Sequence, residues 1–149
     1  MKVNIGPYPI DPRKKRKISV KLDNYDVWDV AETLSEIIVP LLKKLKQIKN
    51  GIPNVHDADL PDDIRTKYPI ESSEYFNVDY DDVHMEKITA RWEYVIDAMI
   101  FAFDSYKTNW ESQFYLNGLL YDKQGYDDYE NKILNGRILF TKYYDNLWS

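Results

Sequence analysis

The sequence predicts a mainly α fold: a bundle of three long helices with a short N-terminal β-hairpin or extended segment and an acidic ordered strap, all in one domain over 1–149. Three observations lead there. Apolar residues recur at three- and four-residue steps in three long windows, whereas in the first 22 residues they alternate with polar ones. The chain lacks cysteine but is rich in aromatics, 15% with 13 Tyr and 4 Trp, so the core must be held by packing and not by disulfides. A chain of 149 residues is long enough to bury about two thirds of its unfolded surface, which makes such a core sufficient.

Val3 and Ile5, then Ile18, Val20 and Leu22, alternate with polar residues around Gly6, Pro7, Pro9 and Pro12, giving two short strands or extended segments within 1–22. The run Arg13-Lys14-Lys15-Arg16-Lys17 lies in their connection, where side chains reach water. From Val27 to Lys49, residues Val27, Ala31, Leu34, Ile38, Leu41, Leu42, Leu45 and Ile48 form one apolar stripe, the first long helix. Asp26 suits its N-cap and Asp29 its dipole, and Asn50-Gly51 with Pro53 stops it. Pro40 removes an internal donor, so a kink or break is expected there.

Residues 51–82 are acidic, carry Pro53, Pro61 and Pro69, and show no long period. They read as a surface strap with a short helix from Pro61 to Lys67, pinned by Tyr68, Ile70, Tyr75, Phe76 and Tyr80. The second long helix, Val83 to Lys107, is apolar on two faces and should be central. Asn117-Gly118 permits either a hairpin or a helical turn. The third helix runs from Asp127 to Leu147; Gly136 inside it costs about 1 kcal/mol relative to Ala, which implies that another backbone comes close. No repeat or flexible linker suggests a second domain.

Composition narrows the function classes. Without cysteine there are no thiolate zinc sites and no cysteine nucleophiles, and with five glycines there is neither a G-x-G-x-x-G motif nor a P-loop. None of the serines sits in a glycine-flanked elbow. His56 and His84 stand in separate acidic segments, without the paired spacing of a hydrolytic zinc site. No run approaches the ~18 apolar residues of a membrane span, and the first residues lack the apolar stretch of an export signal, so an intracellular protein without a membrane partner is expected.

Three constellations remain as candidates. Glu32 with Glu36, and Glu93 with Asp97, sit one turn apart on two helices; facing each other they would hold a magnesium ion, and otherwise they are solvated helix faces. The basic run, with Arg13 and Arg16 near Tyr8 and Tyr25, could grip an anion or serve as a solvated strand end. Arg91 and Arg137 adjoin the core faces of their helices. They either converge on an anion-binding pocket with Trp28, Tyr143 or Lys142, or pair with carboxylates such as Glu93 and Asp97 in a structural network. Net charge is −5, but it is uneven: residues 1–51 carry eleven Lys and Arg against six Asp and Glu, and the remainder nine against nineteen, so the parts are +5 and −10. The acidic remainder argues against duplex nucleic acid as a partner and for a compact anionic ligand or an acidic protein patch.

The segments Ile5-Gly6-Pro7-Tyr8-Pro9, Trp28-Asp29-Val30, Arg91 to Phe103 (RWEYVIDAMIFAF) and Asn135 to Tyr144 (NGRILFTKYY) together resemble a family of small proteins from tailed bacteriophages. The resemblance spans most of the chain. It implies a viral origin, with expression in the host bacterial cytoplasm or incorporation into the virion, and it carries over no catalytic residue and no cofactor. The expectation is a non-enzymatic accessory protein that binds or sequesters a host factor or a small nucleotide-like anion, as in counter-defence, through Arg13, Arg16, Trp28, Arg91, Arg137 and Lys142. The alternatives are a virion assembly protein and, third, a magnesium-dependent nucleotide hydrolase. Aromatics on helical faces further suggest a homo-oligomer.

Overall fold

The computed structural model describes residues 1–11, 13–48, 51–65 and 82–148, with 82–85 by backbone alone. The architecture is mainly helical, with an N-terminal antiparallel hairpin and three long helices. In chain order these are β1 (Lys2–Ile5), β2 (Ile18–Lys21), α1 (Val30–Ile48), α2 (Asp82–Asp104), a two-residue hairpin of β3 (Tyr115–Leu116) and β4 (Leu119–Leu120), and α3 (Lys123–Lys142). Single 3-10 turns at Asn24–Val27, Asp57–Asp59, Asp62–Ile64, Ser105–Lys107, Trp110–Phe114 and Tyr144–Asn146 join or extend them. The helix expected from Pro61 to Lys67 is only the 3-10 turn Asp62–Ile64, because Arg65 is already extended at ψ 150°; the Tyr68, Ile70, Tyr75, Phe76 and Tyr80 anchors expected of the strap lie outside the described residues.

α2 is the axis of the molecule. Trp92, Val95, Ile96, Met99 and Ala102 are wholly buried, and Ile88 and Arg91 nearly so, because the helix is apolar around most of its circumference and must be covered on several sides. α3 packs along it antiparallel. Phe101 meets Tyr129, with ring centroids 5.0 Å apart, and Trp92 meets the edge of Tyr143 at 5.9 Å. Gly136 makes this contact possible, since a Cβ there would stand 2.1 Å from the Ala98 carbonyl oxygen and 2.5 Å from Ala102 Cβ. The close backbone approach expected at Gly136 is therefore present.

α1 covers another side of α2, also antiparallel, with Lys43 reaching Asp104 at 3.7 Å and Lys46 reaching Asp97 at 2.7 Å. It stays helical through Pro40, which is exposed, so no break occurs there. Its N-terminus also differs from expectation. Asp29 caps it by accepting from the Glu32 N–H at 3.0 Å, while Asp26 closes a capping box with Asp23 on the preceding 3-10 turn. The single core-facing stripe expected on α1 is corrected as well. The ridge that enters the core is Ser35, Val39 and Leu42, while Val30, Leu34, Leu41 and Ile48 stay 47–62% exposed. More than half of α1 is apolar, and α2 is too narrow to cover all of it.

The Asn117-Gly118 ambiguity resolves as a hairpin, because both residues have positive φ (51° and 78°), the backbone of a two-residue type I′ turn. Below it Trp110 stacks on Tyr129, centroids 4.7 Å apart and planes inclined 12°, with Phe114 and Tyr126 edge-on. Asp122 caps α3 through the Gly125 N–H at 2.9 Å.

Gly136→Val should force α2 and α3 apart and destabilise the protein by about 2 kcal/mol or more, as overpacking at a backbone contact does. Urea unfolding followed by circular dichroism measures this, with Gly125 left untouched as the control helix glycine.

Candidate functional site

The six residues singled out from the sequence fall in four places. Arg13 and Arg16 lie at the tip of the N-terminal hairpin. Arg16 spreads its guanidinium over the Tyr8 ring, 4.3 Å from the centroid, and donates to the Gly6 carbonyl. Arg13 is 90% exposed and leans on Asp11 at 3.1 Å, and its hydrogen bonds hold the Asp11 carboxyl below its ordinary pKa. Trp28, 89% exposed, stands at the junction between the hairpin and α1.

Arg91 and Lys142 lie elsewhere, and both hold the strap. Arg91 is buried against residues 55–64: it pairs with Asp57 at 2.5 Å and donates to the carbonyl oxygens of Val55 and Ile64. Lys142 pairs with Asp59 at 2.6 Å. The Tyr143 hydroxyl donates to Asp59 at 2.6 Å and accepts from the His56 N–H at 2.9 Å. The segment is also tied to itself, Arg65 donating to the Asp57 and Leu60 carbonyls at 2.9 and 2.8 Å. Val55 and Leu60 thereby enter the core beside Trp92 and Leu139. Burial pushes the Asp59 carboxyl up, but hydrogen bonds from Lys142 and Tyr143 and the charge of Lys142 outweigh it and set the group below its ordinary 3.8. Burial and then the Asp59 bond push the Tyr143 phenol well above its ordinary value, so it stays protonated and donating at any physiological pH.

Arg137 points away from this clamp, donating to the Tyr106 hydroxyl at 2.9 Å in a cleft of about 340 Å³ that also holds Trp110, Glu111 and Glu130. A shared pocket for Arg91 and Arg137 is thus not formed. Tyr106, the partner of Arg137, lies fifteen residues after Arg91 in the 3-10 turn that extends α2, about 20 Å further along, and the two guanidinium groups face different neighbours. Of the two readings of Arg91, its geometry matches the structural network, with Asp57 as partner where Glu93 and Asp97 were considered.

The four carboxylates do not converge either. Asp97 faces Lys46, whereas Glu36 is ten residues, about 15 Å, further back along α1, toward the Lys107 end of the antiparallel pair. Among the described residues no group of three or more His, Asp or Glu is placed to hold a metal ion, and no helix is long and apolar enough to cross a membrane.

What the sequence did not reveal is the hairpin's unpartnered face. The register pairs Val3 with Val20 and Ile5 with Ile18, so these four share one face while Lys2, Asn4, Ser19 and Lys21 share the other. Among the described residues no helix lies on the apolar face: Ile5, Ile18, Val20 and Leu22 are 46–65% exposed. Alternation announced the strands; nothing local announced that no core would receive them. No family model, curated protein or solved structure matches the chain.

Two outcomes follow from the clamp. Arg91→Ala should cost about 3 kcal/mol, because the Val55 carbonyl and Asp57 lose their partner in a buried setting, and denaturant titration reads the loss. Asp59 has a depressed folded pKa, so its contribution is complete above pH 3.8 and lost only as pH falls through the lower folded value. The carboxyl-carbon resonance of Asp59, followed during acid titration, should therefore hold its position from pH 7 to pH 4 and shift only below 3.8.

Proposed function

We propose that this chain is a non-enzymatic interaction protein that captures a partner protein with its N-terminal hairpin, in the setting the sequence resemblance implies: a phage accessory protein in the host cytoplasm acting on a host factor. The observation that carries the reading is the hairpin itself. An isolated two-stranded ribbon is marginally stable in water, yet this one carries a one-sided apolar face in the open and five cationic side chains at its tip. A partner offering an apolar groove rimmed by carboxylates would satisfy both features at once. The small-anion version of this reading has less support, since Arg91 and Lys142 are committed to Asp57 and Asp59 and the Arg137 cleft carries two glutamates. The magnesium-hydrolase reading loses its ligand set with the separation of Glu32 and Glu36 from Asp97.

A photo-crosslinking residue at Val20 in the full chain, expressed in bacteria, should give one discrete protein adduct. Arg13→Glu with Arg16→Glu should lower its yield at least about tenfold without changing the circular dichroism spectrum, because both side chains lie outside the core. An adduct indifferent to the charge reversal would sink the proposal. Calorimetric binding of a nucleotide, abolished by the same double variant, would move the reading to the small anion.

A second reading, an assembly protein of the particle, has the charge division in its favour, +5 in residues 1–51 against −10 beyond, so that one subunit's arm could rest on the acidic body of the next. Mass spectrometry of purified particles decides it, since absence from them ends the idea.

A further inference from the structure

The cleft of about 340 Å³ between α3 and the turns that follow α2 has two walls. On α3, Glu130, Ile133 and Arg137 are three and then four residues apart, so they share one face. Opposite them runs the stretch from Ser105 to Glu111, which contributes the Tyr106 and Trp110 rings. Glu130 and Arg137 stand two turns apart, about 10 Å along the axis, with the buried Ile133 between them. The two ends differ in charge. At one, the Arg137 guanidinium donates to the Tyr106 hydroxyl at 2.9 Å, which steadies it and leaves its remaining N–H groups open. At the other, Trp110 is fixed by Tyr129 and Tyr126, with centroids 4.7 and 5.1 Å away. Burial, and then the charges of Glu111 and Glu130, raise the Tyr126 phenol above its ordinary value, so both carboxylates belong to this end. Among the described residues Arg137 pairs with no carboxylate and neither glutamate pairs with a cation, whereas the neighbouring charges are matched: Lys107 with Asp104 and Lys123 with Asp127, each at 2.9 Å.

We propose that this cleft binds a free basic amino acid, lysine or arginine, laid along α3 with its carboxylate on Arg137 and its side-chain cation between Glu111 and Glu130. Each part of such a molecule answers a feature of the walls. The carboxylate takes the N–H groups of Arg137 that Tyr106 leaves open, in the planar fork that guanidinium offers to carboxylates. The methylene stem lies over Ile133 and keeps both charged ends in water-facing positions. The distal cation meets two carboxylates beside an aromatic ring, a setting that attracts ammonium and guanidinium alike. One arginine against two glutamates leaves the walls at a net −1, which a ligand of net charge about +1 at neutral pH balances. Other small ions fit less well. A dicarboxylate or a phosphate sets like charge against the glutamates, and a diamine sets an ammonium against Arg137. The volume is that of a small-molecule site, and the stacked Trp110 gives it a wall formed in advance. The cleft shares no residue with the hairpin, so occupancy of the one and partner capture by the other fail or succeed separately.

Isothermal calorimetry of the full chain with arginine, lysine and agmatine, which is arginine without its carboxylate, tests the assignment. Arginine and lysine should bind saturably, and agmatine at least about tenfold more weakly than arginine, because it has nothing to offer Arg137. Arg137→Gln should remove the difference between arginine and agmatine, whereas Glu130→Gln should weaken arginine and lysine at least about tenfold. Both side chains are exposed, so the circular dichroism spectrum of each variant should match that of the parent chain. Failure of arginine and lysine to bind, equal binding of arginine and agmatine, or arginine binding indifferent to either substitution would each overturn the proposal.

Discussion

From residue 30 onward, the described elements pack chiefly to bury one helix, α2. α2 is apolar around most of its circumference, and no single neighbour can cover all of that. α3 closes one side only because Gly136 lets two backbones come into contact, α1 closes another with three small or branched residues, and residues 52–60 close a third. The loss of any one of these would expose Trp92 or its neighbours, each worth on the order of 2 kcal/mol of burial. The fold is therefore less a bundle of equal helices than a core helix with three coverings of different kinds.

The third covering explains why charged side chains that looked functional are structural. A strap cannot seat itself by helix-on-helix ridges, so it is held by charge-assisted bonds: Arg91 to Asp57, and Lys142 with Tyr143 to Asp59. The cations adjoin the core faces of α2 and α3 because the strap crosses both helices there. Charge next to an apolar face is read from sequence as a pocket or as a fastening, and only the distant carboxylates, 34 and 83 residues earlier, distinguish the two.

How far the sequence could be read follows from the range of the interactions. The three helices, the N-terminal strands and the glycine contact rest on local periodicity or on a single conspicuous residue, and all are legible. Helix ends were displaced by several residues where 3-10 turns took over, as at Asn24–Val27 and Ser105–Lys107, because caps compete within a few tenths of a kcal/mol. The face that α1 turns inward was not legible. Its apolar residues span more than half the circumference, and only the width of α2 decides which of them are covered. The hairpin posed the same difficulty: alternation identifies a strand with one apolar face without saying what lies against it.

The clamp on the strap also ties it to two helices at once. Asp57 is met by α2 and Asp59 by the end of α3, so both anchors are closed together only when the two helices lie side by side. Residues 52–60 are thus a latch across the pair, and its full closure reports that the two helices behind it are correctly joined.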